Sequence, residues 1–241
     1  MGVGPTPGRS SHDVPSGSPE VSLVGQDDDL VGLAMSLGRS SAAHGSCLVR
    51  DPSSGASPEI AILLRPQVPM GLFVGLTAVC SLGLLDVARG GGGGDVAIDW
   101  PSGIVSGSGE QVARVGVRAA TGDLGMFAVA IVDADLPVLT GGRSVEESVR
   151  LVRDAIVGRV DAWSDAVRDG RAQAGPLAPV LSECYDSIAR MGEPVRAISR
   201  DGREVCRGVL AGVDVWGRVT IHTAFGQDIA FAGEQASLIS L

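Results

Sequence analysis

The chain has 241 residues, 44% of them hydrophobic, which suffices for one sizeable domain or for one domain with a small appendage. None of the residues is lysine, so all 19 basic residues are arginine, and this excludes Schiff-base chemistry and a lysine-based phosphate loop. The net charge of -9, with the arginines scattered along the chain, predicts that nucleic acid is not a partner.

The first elements follow a segment of low complexity. Residues 1–19 are rich in Gly, Pro and Ser and lack an apolar signal core, so we expect a disordered leader. Three acids at 27–29 precede apolar residues at helical spacing, and Gly38 suits the end of that helix. Residues 46–50 and 59–65 are typical of strands, and residues 51–58 form the loop between them.

An almost uncharged segment, residues 68–85, comes next. About 20 apolar residues are needed to cross a membrane, so this segment is marginal in length, and it lacks basic flanks. We therefore expect a helix buried against a sheet and no membrane association. The glycine run 90–94 has no lysine and does not open a helix at Ser or Thr, so we expect a flexible turn.

The second half of the chain combines strands, one long helix and a run of short strands. Residues 95–100, 112–119 and 126–132 are strand-like, and the last of these is a continuous apolar run that predicts a central strand. Residues 144–147 form a capping box that opens a long helix, with a second helix predicted at 177–190. From Gly192 onward, four or five short strands indicate a small antiparallel barrel. The apolar face of the long helix is Val145, Val149, Val152, Ile156, Val160, Trp163 and Val167.

The cysteines and histidines form no recognisable metal or redox pattern. The four cysteines are far apart in the sequence and the three histidines do not cluster with them. We therefore expect a cytoplasmic protein with reduced, buried thiols and no metal site.

The order of these elements, together with several short motifs, resembles the biotin protein ligases, which share a superfamily with the lipoate ligases. The motifs are Trp100-Pro101 after a strand, Gly192-Glu193-Pro194-Val195 at the start of the predicted barrel, Gly212-Val213-Asp214-Val215-Trp216-Gly217 at a turn, and Gly233-Glu234-Gln235-Ala236-Ser237 at its close. The resemblance covers residues 21–241. It implies an α/β (α+β) fold with a mixed central sheet flanked by helices over residues 20–190, and an SH3-like barrel over residues 191–241. It also implies biotin and Mg-ATP as ligands and a biotin carboxyl-carrier domain as the partner.

The chain departs from the family pattern at the residues that handle charge. The family's Lys-Trp-Pro-Asn-Asp is Asp99-Trp100-Pro101-Ser102-Gly103 here, and the loop at 51–58 contains no arginine. If Gly116 is the family's glycine, the catalytic lysine position is Ala113, and Asp133 replaces an asparagine. Positioned cations normally stabilise the charge that develops on reacting phosphates, and removing one donor costs about 3 to 4 kcal/mol. We therefore expect reduced or lost catalysis and assign no catalytic residue.

Several residues have competing interpretations. Trp100 either stacks on a bound ring or is a core aromatic at a strand end. Asp99 and Asp133 form either a metal pair or two solvated or ion-paired acids. Arg114 and Arg118 either replace the lost lysine or pair with acids on the strand surface, and Arg114 is the better placed of the two. The residues we expect to contact substrate are Trp100, Arg114, Gly116 and Asp133.

Two other functions remain open at this point. One is a non-catalytic protein that binds biotin or the carrier and acts as a partner or sensor. The other is an acyltransferase that uses a cysteine nucleophile, for which Cys47 and Cys80 are the residues to check, although burial and inertness are expected for both.

Overall fold

The computed structural model describes residues 20–50, 58–92 and 94–241, and it contains a seven-stranded mixed sheet followed by a five-stranded antiparallel sheet. The predicted leader, most of the predicted loop at 51–58 and one glycine of the run 90–94 lie outside these residues. The first sheet has the order β1-β2-β3-β7-β6-β5-β4, with β1 and β2 parallel and the other neighbours antiparallel. Its strands are β1 (Val21–Val24), β2 (Cys47–Arg50), β3 (Glu59–Leu64), β4 (Val96–Asp99), β5 (Gly103–Ser106), β6 (Gln111–Gly122) and β7 (Gly125–Ala134). The predicted mixed central sheet is confirmed, and the strand predicted to be central, β7, is the fourth of seven.

Helices cover both faces of this sheet. One face packs against α2 and α4 and the other against α1, so the sheet separates a large apolar core from a smaller one. The α-helices of the described residues are α1 (Leu30–Arg39), α2 (Leu76–Gly90), α3 (Leu136–Thr140), α4 (Val145–Arg168) and α5 (Leu181–Ser187).

The first helix forms for the predicted reasons but ends slightly later. The Asp29 carboxylate accepts a hydrogen bond from the backbone N–H of Gly32 at 3.0 Å, which caps the N-terminus. The helix runs to Arg39, one residue beyond the predicted end. Gly38 is required for another reason, because a Cβ at that position would lie 2.1 Å from the ring of Phe127.

The apolar segment is a buried helix. A 3₁₀ helix, Met70–Gly75, leads directly into α2, and the combined segment is long and apolar enough to cross a membrane by length and composition. In the fold, α2 packs between the sheet and α4. A Cβ at Gly83 would lie 3.0 Å from the Cα of Ile156, so glycine permits a close helix–helix approach. The glycines after α2 are partly structural too, because a Cβ at Gly91 would lie 2.7 Å from the carbonyl oxygen of Leu139.

The long helix α4 is confirmed, with two corrections. Ser144 is its N-cap and accepts a hydrogen bond from the Glu147 N–H at 3.2 Å, but the Glu147 carboxylate pairs with Arg143 at 2.6 Å. The predicted capping box is therefore only half formed. Val145, predicted on the apolar face, is 41% exposed because it lies in the first turn, beyond the edge of the core.

The C-terminal part forms a five-stranded antiparallel sheet in the order β11-β10-β9-β8-β12. Among the described residues, β11 and β12 are not paired with each other, so the hydrogen bonding does not close a barrel, and the SH3-like barrel stays a prediction. The helix predicted at 177–190 is shorter than expected, because only α5 and a preceding 3₁₀ turn, Ala178–Val180, are helical. The strands are β8 (Pro194–Ser199), β9 (Glu204–Val213), β10 (Val219–Thr223), β11 (Asp228–Phe231) and β12 (Ala236–Ser240).

Candidate functional site

Strand β6 presents two arginines and a glycine on one side. Successive side chains of a strand alternate between the two faces of a sheet. Accordingly, Arg114, Gly116 and Arg118 are exposed on the face that α1 covers only in part, whereas Ala113 and Val115 are buried in the large core. Ala113, the position that corresponds to the family's lysine, is 1% exposed. The side chain that reaches the open face is therefore that of Arg114.

The space above Gly116 is open. A Cβ placed on this glycine would meet no atom within 4 Å, so a flat group can lie against the sheet at this point. Gly116 pairs with Ile131 on β7, whose half-buried side chain continues the floor. We call this surface, from Arg114 to Arg118 with Gly116 and Ile131, the open face.

Charged residues form a row along the end of the open face. Asp133 lies directly opposite Arg114 on one side and Glu59 on the other. Residues opposed in this way have Cβ atoms about 5 Å apart. The Glu59 carboxylate accepts a hydrogen bond from Arg50 Nε at 2.9 Å, while an Arg114 Nη donates to the side chain of Gln111 at 2.9 Å. Asp133 is exposed.

A groove of about 230 Å³ lies beside Trp100, between the first sheet and the C-terminal sheet. Arg114 and Arg200 both line it, and Asp99, the acid at its wall, is ion-paired with Arg190. Arg114, the better placed of the two arginines considered as replacements for the lost lysine, is therefore joined at this groove by a second arginine, Arg200. Arg114 lies on β6 and Arg200 directly follows β8, so the two are far apart in the sequence and composition alone does not indicate that they meet.

Trp100 is a core residue that also borders a cavity. It is 6% exposed, and its indole N–H donates a hydrogen bond to the carbonyl of Gly217 at 3.0 Å. It lines both the groove and a second cavity, of about 310 Å³, on the α2 side of the sheet. Trp100 is therefore packed as a core aromatic at a strand end, and its contact with a ligand stays a prediction.

The four cysteines are free and buried. Burial raises the pKa of Cys47, Cys80 and Cys184 to about 12 and also raises that of Cys206. Since the thiolate is the nucleophile, only about one thiol in 10⁵ with such a pKa is reactive at neutral pH. The expected burial of the thiols is confirmed, and their inertness toward acyl transfer stays a prediction that the raised pKa values support.

Metal-binding geometry is absent from residues 20–50, 58–92 and 94–241, where no three His, Cys, Asp or Glu side chains come together. Asp99 on β4 and Asp133 on β7 are separated by two strands, about 14 Å of sheet, so they do not form a metal pair. Mg²⁺, however, keeps several waters and is commonly held by one or two carboxylates together with substrate phosphates. Asp133 and the neighbouring Glu59 provide two carboxylates of this kind.

Sequence reasoning missed four residues of this region. Arg190 lies on the turn between α5 and β8, and Arg200 directly follows β8. Trp216 and Glu234 lie on turns of the C-terminal sheet. Trp216 and Glu234 belong to the family motifs at 212–217 and 233–237, so the sequence could have indicated them. For Arg190 and Arg200 the sequence carries no signal, because their placement depends on how the two sheets pack.

Comparison with known proteins identifies the fold. No protein-family model and no curated protein sequence matches the chain. Among solved structures, the biotin protein ligase from Aquifex aeolicus superposes with a TM-score of 0.69 at 16% identity, covering 93% of this chain and 99% of that one. The same ligase in complex with biotin and ATP gives a TM-score of 0.59 at 15% identity, over 92% and 99%. The biotin acetyl coenzyme A carboxylase synthetase from Helicobacter pylori with bound biotinylated ATP gives 0.50 at 14% identity, over 89% and 100%. The chain therefore has the fold of the biotin protein ligases.

Proposed function

We propose that this protein is a biotin protein ligase homologue that binds a biotinyl-type carboxylate and its adenylate on the open face and has reduced catalysis. The observation that carries the proposal is the arrangement on β6. Open space above Gly116 is flanked by exposed arginines, while the position of the family's lysine is a buried alanine.

The described residues fit the ligands that the fold implies. An acyl-adenylate combines an apolar acyl chain with an anionic phosphate. The apolar acyl chain can lie on the strand surface at Gly116 and Ile131, and the guanidinium groups can form charged hydrogen bonds with the phosphate. Arg114 and Arg200, which line the groove, would hold that phosphate, and Asp133, which lies opposite Arg114, would hold a magnesium ion. When bound, Mg-ATP would supply the α-phosphorus that the biotin carboxylate attacks, which forms the acyl-adenylate and releases pyrophosphate.

Reduced catalysis follows from what the arginines cannot reproduce. Arg114 points from the face opposite to Ala113, so its charge enters the site from a different direction than a lysine at 113 would. The negative charge of Asp133, directly opposite Arg114, also cancels part of the positive potential that Arg114 creates. Loss of one well-placed donor lowers kcat about 10²- to 10³-fold. We expect biotin transfer slower by about that factor than that of the Aquifex aeolicus ligase assayed in parallel.

Two measurements test the proposal. Calorimetry with biotin, biotinyl-AMP and Mg-ATP is expected to show biotinyl-AMP bound most tightly. Arg114→Ala and Arg200→Ala should each raise the Kd for biotinyl-AMP about 10- to 150-fold, since a hydrogen bond to a charged group contributes about 1.5–3 kcal/mol. Arg203→Ala is the matched control, because Arg203 is 83% exposed and pairs with Asp201 away from the groove. Absence of biotinyl-AMP binding would exclude the proposal.

The second measurement is transfer of labelled biotin to a carboxyl-carrier domain from the protein's own host. Slow transfer supports a ligase, and binding of biotinyl-AMP without any transfer indicates the partner or sensor role. The cysteine alternative is disfavoured by the raised thiol pKa values. Transfer that survives the double variant Cys47→Ala and Cys80→Ala would eliminate it.

A further inference from the structure

The second cavity, on the α2 side of the sheet, exists because β5 turns away from β6. The Val115 N–H donates to the carbonyl of Ser102 at 2.9 Å, and the described part of the chain has no strand beside the next residues of that β6 edge. The start of α2 and the turns of the C-terminal sheet surround the gap and leave a cavity of about 310 Å³. This volume lies at the lower end of the range for pockets that bind small molecules.

Two tryptophans that border this cavity are held in place by hydrogen bonds. Trp216 lies on the β9–β10 turn, where the Asp214 carboxylate accepts from the backbone N–H groups of Trp216 at 2.9 Å and Arg218 at 3.0 Å. Trp100 fixes the same turn through its bond to the Gly217 carbonyl. Trp100, which follows β4, and the turn that carries Trp216 are therefore fixed relative to each other, and both tryptophans line the cavity, although Trp216 is 45% exposed.

Among the described residues that line the cavity, Glu234 is the single charged one. Its carboxylate has no ion pair or hydrogen bond with any residue in the described ranges, whereas most other acids of the C-terminal sheet have arginine or histidine partners. The preceding Gly233 packs closely on Pro101, since a Cβ there would lie 2.7 Å from the proline Cβ, and this fixes the start of the turn. An apolar, tryptophan-lined cavity with one unpartnered carboxylate attracts cations and repels anions.

We propose that this cavity binds a small organic cation with an apolar body, of the arylalkylamine class. The aryl group packs among the apolar side chains contributed by α2, β4 and β6, and the ammonium group lies between Glu234 and the indole of Trp216. The inference does not rest on the proposed function, because neither Arg114 nor Arg200 lines this cavity, although Trp100 borders both the cavity and the groove and Gly116 contributes to both the cavity and the open face.

The test uses 2-phenylethylamine with two probes of similar shape, the neutral 2-phenylethanol and the anionic 3-phenylpropionate. Binding is followed by calorimetry and by the indole N–H signals of the three tryptophans in nuclear magnetic resonance spectra. We expect the amine to bind with a Kd on the order of 1 mM, the alcohol at least about threefold more weakly, and the acid not at all. The signals of Trp100 and Trp216 should shift, while that of Trp163, bonded to the Pro176 carbonyl at 2.7 Å and outside the cavity lining, should stay.

Variants separate this site from non-specific attraction to an acidic protein. Glu234→Gln and Trp216→Ala alter exposed residues, so both should fold, and each should weaken amine binding at least about threefold. Glu110→Gln, which removes an exposed acid on the β5–β6 turn, should leave binding unchanged. The proposal is overturned if Glu234→Gln has no effect, if the acid binds as well as the amine, or if about 10 mM amine produces no binding.

Discussion

Arg65 closes the C-terminal end of α1. Its side chain is buried and donates hydrogen bonds to the carbonyl oxygens of Gly38 at 3.0 Å, Ser40 at 2.8 Å and Ala42 at 3.0 Å. The guanidinium also lies over the ring of Phe127, 5.8 Å from its centroid. The last carbonyls of a helix have no partners within the helix, and a cation there also complements the helix dipole. Arg65 therefore has a structural role in this chain.

We expect Arg65→Lys to lower the free energy of unfolding by about 1–3 kcal/mol. Lysine keeps the charge, but its single ammonium cannot reach three carbonyls in the planar arrangement that a guanidinium allows. Urea unfolding followed by circular dichroism measures the change. Arg203→Lys, at an exposed position, should alter stability by less than about 0.5 kcal/mol, and equal effects at the two sites would contradict the capping role.

His44 couples stability to pH. Its Nδ1 accepts a hydrogen bond from the backbone N–H of Arg65 at 3.0 Å, and its Nε2 lies 3.1 Å from the carboxylate of Asp161. Burial lowers the pKa of His44 below its usual value near 6.5, and the nearby Arg65 charge adds to this, while Asp161 opposes it. Because the unfolded chain then binds the proton first, the contribution of His44 to stability is present above about pH 6.5 and is lost as the pH falls.

Urea unfolding at pH 7.5 and pH 5.5 tests this coupling. The Gln side chain can still accept from the Arg65 N–H but does not titrate, so His44→Gln should lose less stability on acidification than the unaltered chain does. His222→Gln is the control, because the side chain of His222 is 54% exposed. A loss on acidification that is unchanged in His44→Gln would show that other groups cause it.

Gly116 offers a substitution that separates folding from binding. A side chain there enters open space, and glycine is unfavourable within a strand, so Gly116→Leu should keep or raise stability by up to about 1 kcal/mol. The same side chain should block the open face and abolish biotinyl-AMP binding in calorimetry. A variant that is stable and still binds with unchanged affinity would place the ligand elsewhere.

Single residues of the candidate site could be predicted from the sequence only in part. Alternation along β6 correctly separates Arg114 from Ala113, since the period of a strand is two. It says nothing about Arg200, which approaches Arg114 across the junction of the two sheets. The sequence also does not show which charged residues pair. Asp99, considered as a metal ligand, forms an ion pair with Arg190, which lies on a turn 91 residues later.

At the scale of elements, long periodic segments are predicted best. The 24-residue helix α4 repeats its apolar positions often enough to identify it, and β7 is recognisable as an apolar run. The four-residue strands β1 and β5 were missed, because each is too short to establish a period. Both lie toward the edges of the sheet, where the pairing of backbone groups rather than a side-chain pattern determines the strand.

The N-terminus of α4 provides a prediction at this scale. Since the capping box is half formed, its contribution rests on the Ser144 hydroxyl and its bond to the Glu147 N–H. Ser144→Ala should lower the free energy of unfolding by about 1 kcal/mol, whereas Ser144→Asp, which preserves an acceptor, should be nearly neutral. Thermal or urea unfolding measures both. Equal losses for alanine and aspartate would show that the hydroxyl does not act as a cap.

At the scale of the whole molecule, one apolar core extends across the predicted boundary between residues 190 and 191. The buried cluster that contains Ile98 and Trp100 of the first part also contains Val195, Leu210 and Leu238 of the C-terminal sheet. Side chains that share one core exclude water together, so neither sheet can separate without exposing apolar surface of the other. The two parts therefore have a common interior even though each has its own sheet.

We expect the two parts to unfold together, and the cysteines report on this directly. Cys80 lies at the centre of α2 and Cys206 lies on β9, and both are buried with raised pKa values, so neither reacts with maleimide until the surrounding structure opens. Pulse labelling along a urea titration, read residue by residue by mass spectrometry, should give one midpoint for both thiols. Labelling of Cys206 at a clearly lower urea concentration than Cys80 would show that the C-terminal sheet opens independently. Because Cys206 contacts the shared core, a variant that weakens that core from the other side, such as Ile98→Ala, should lower both midpoints equally.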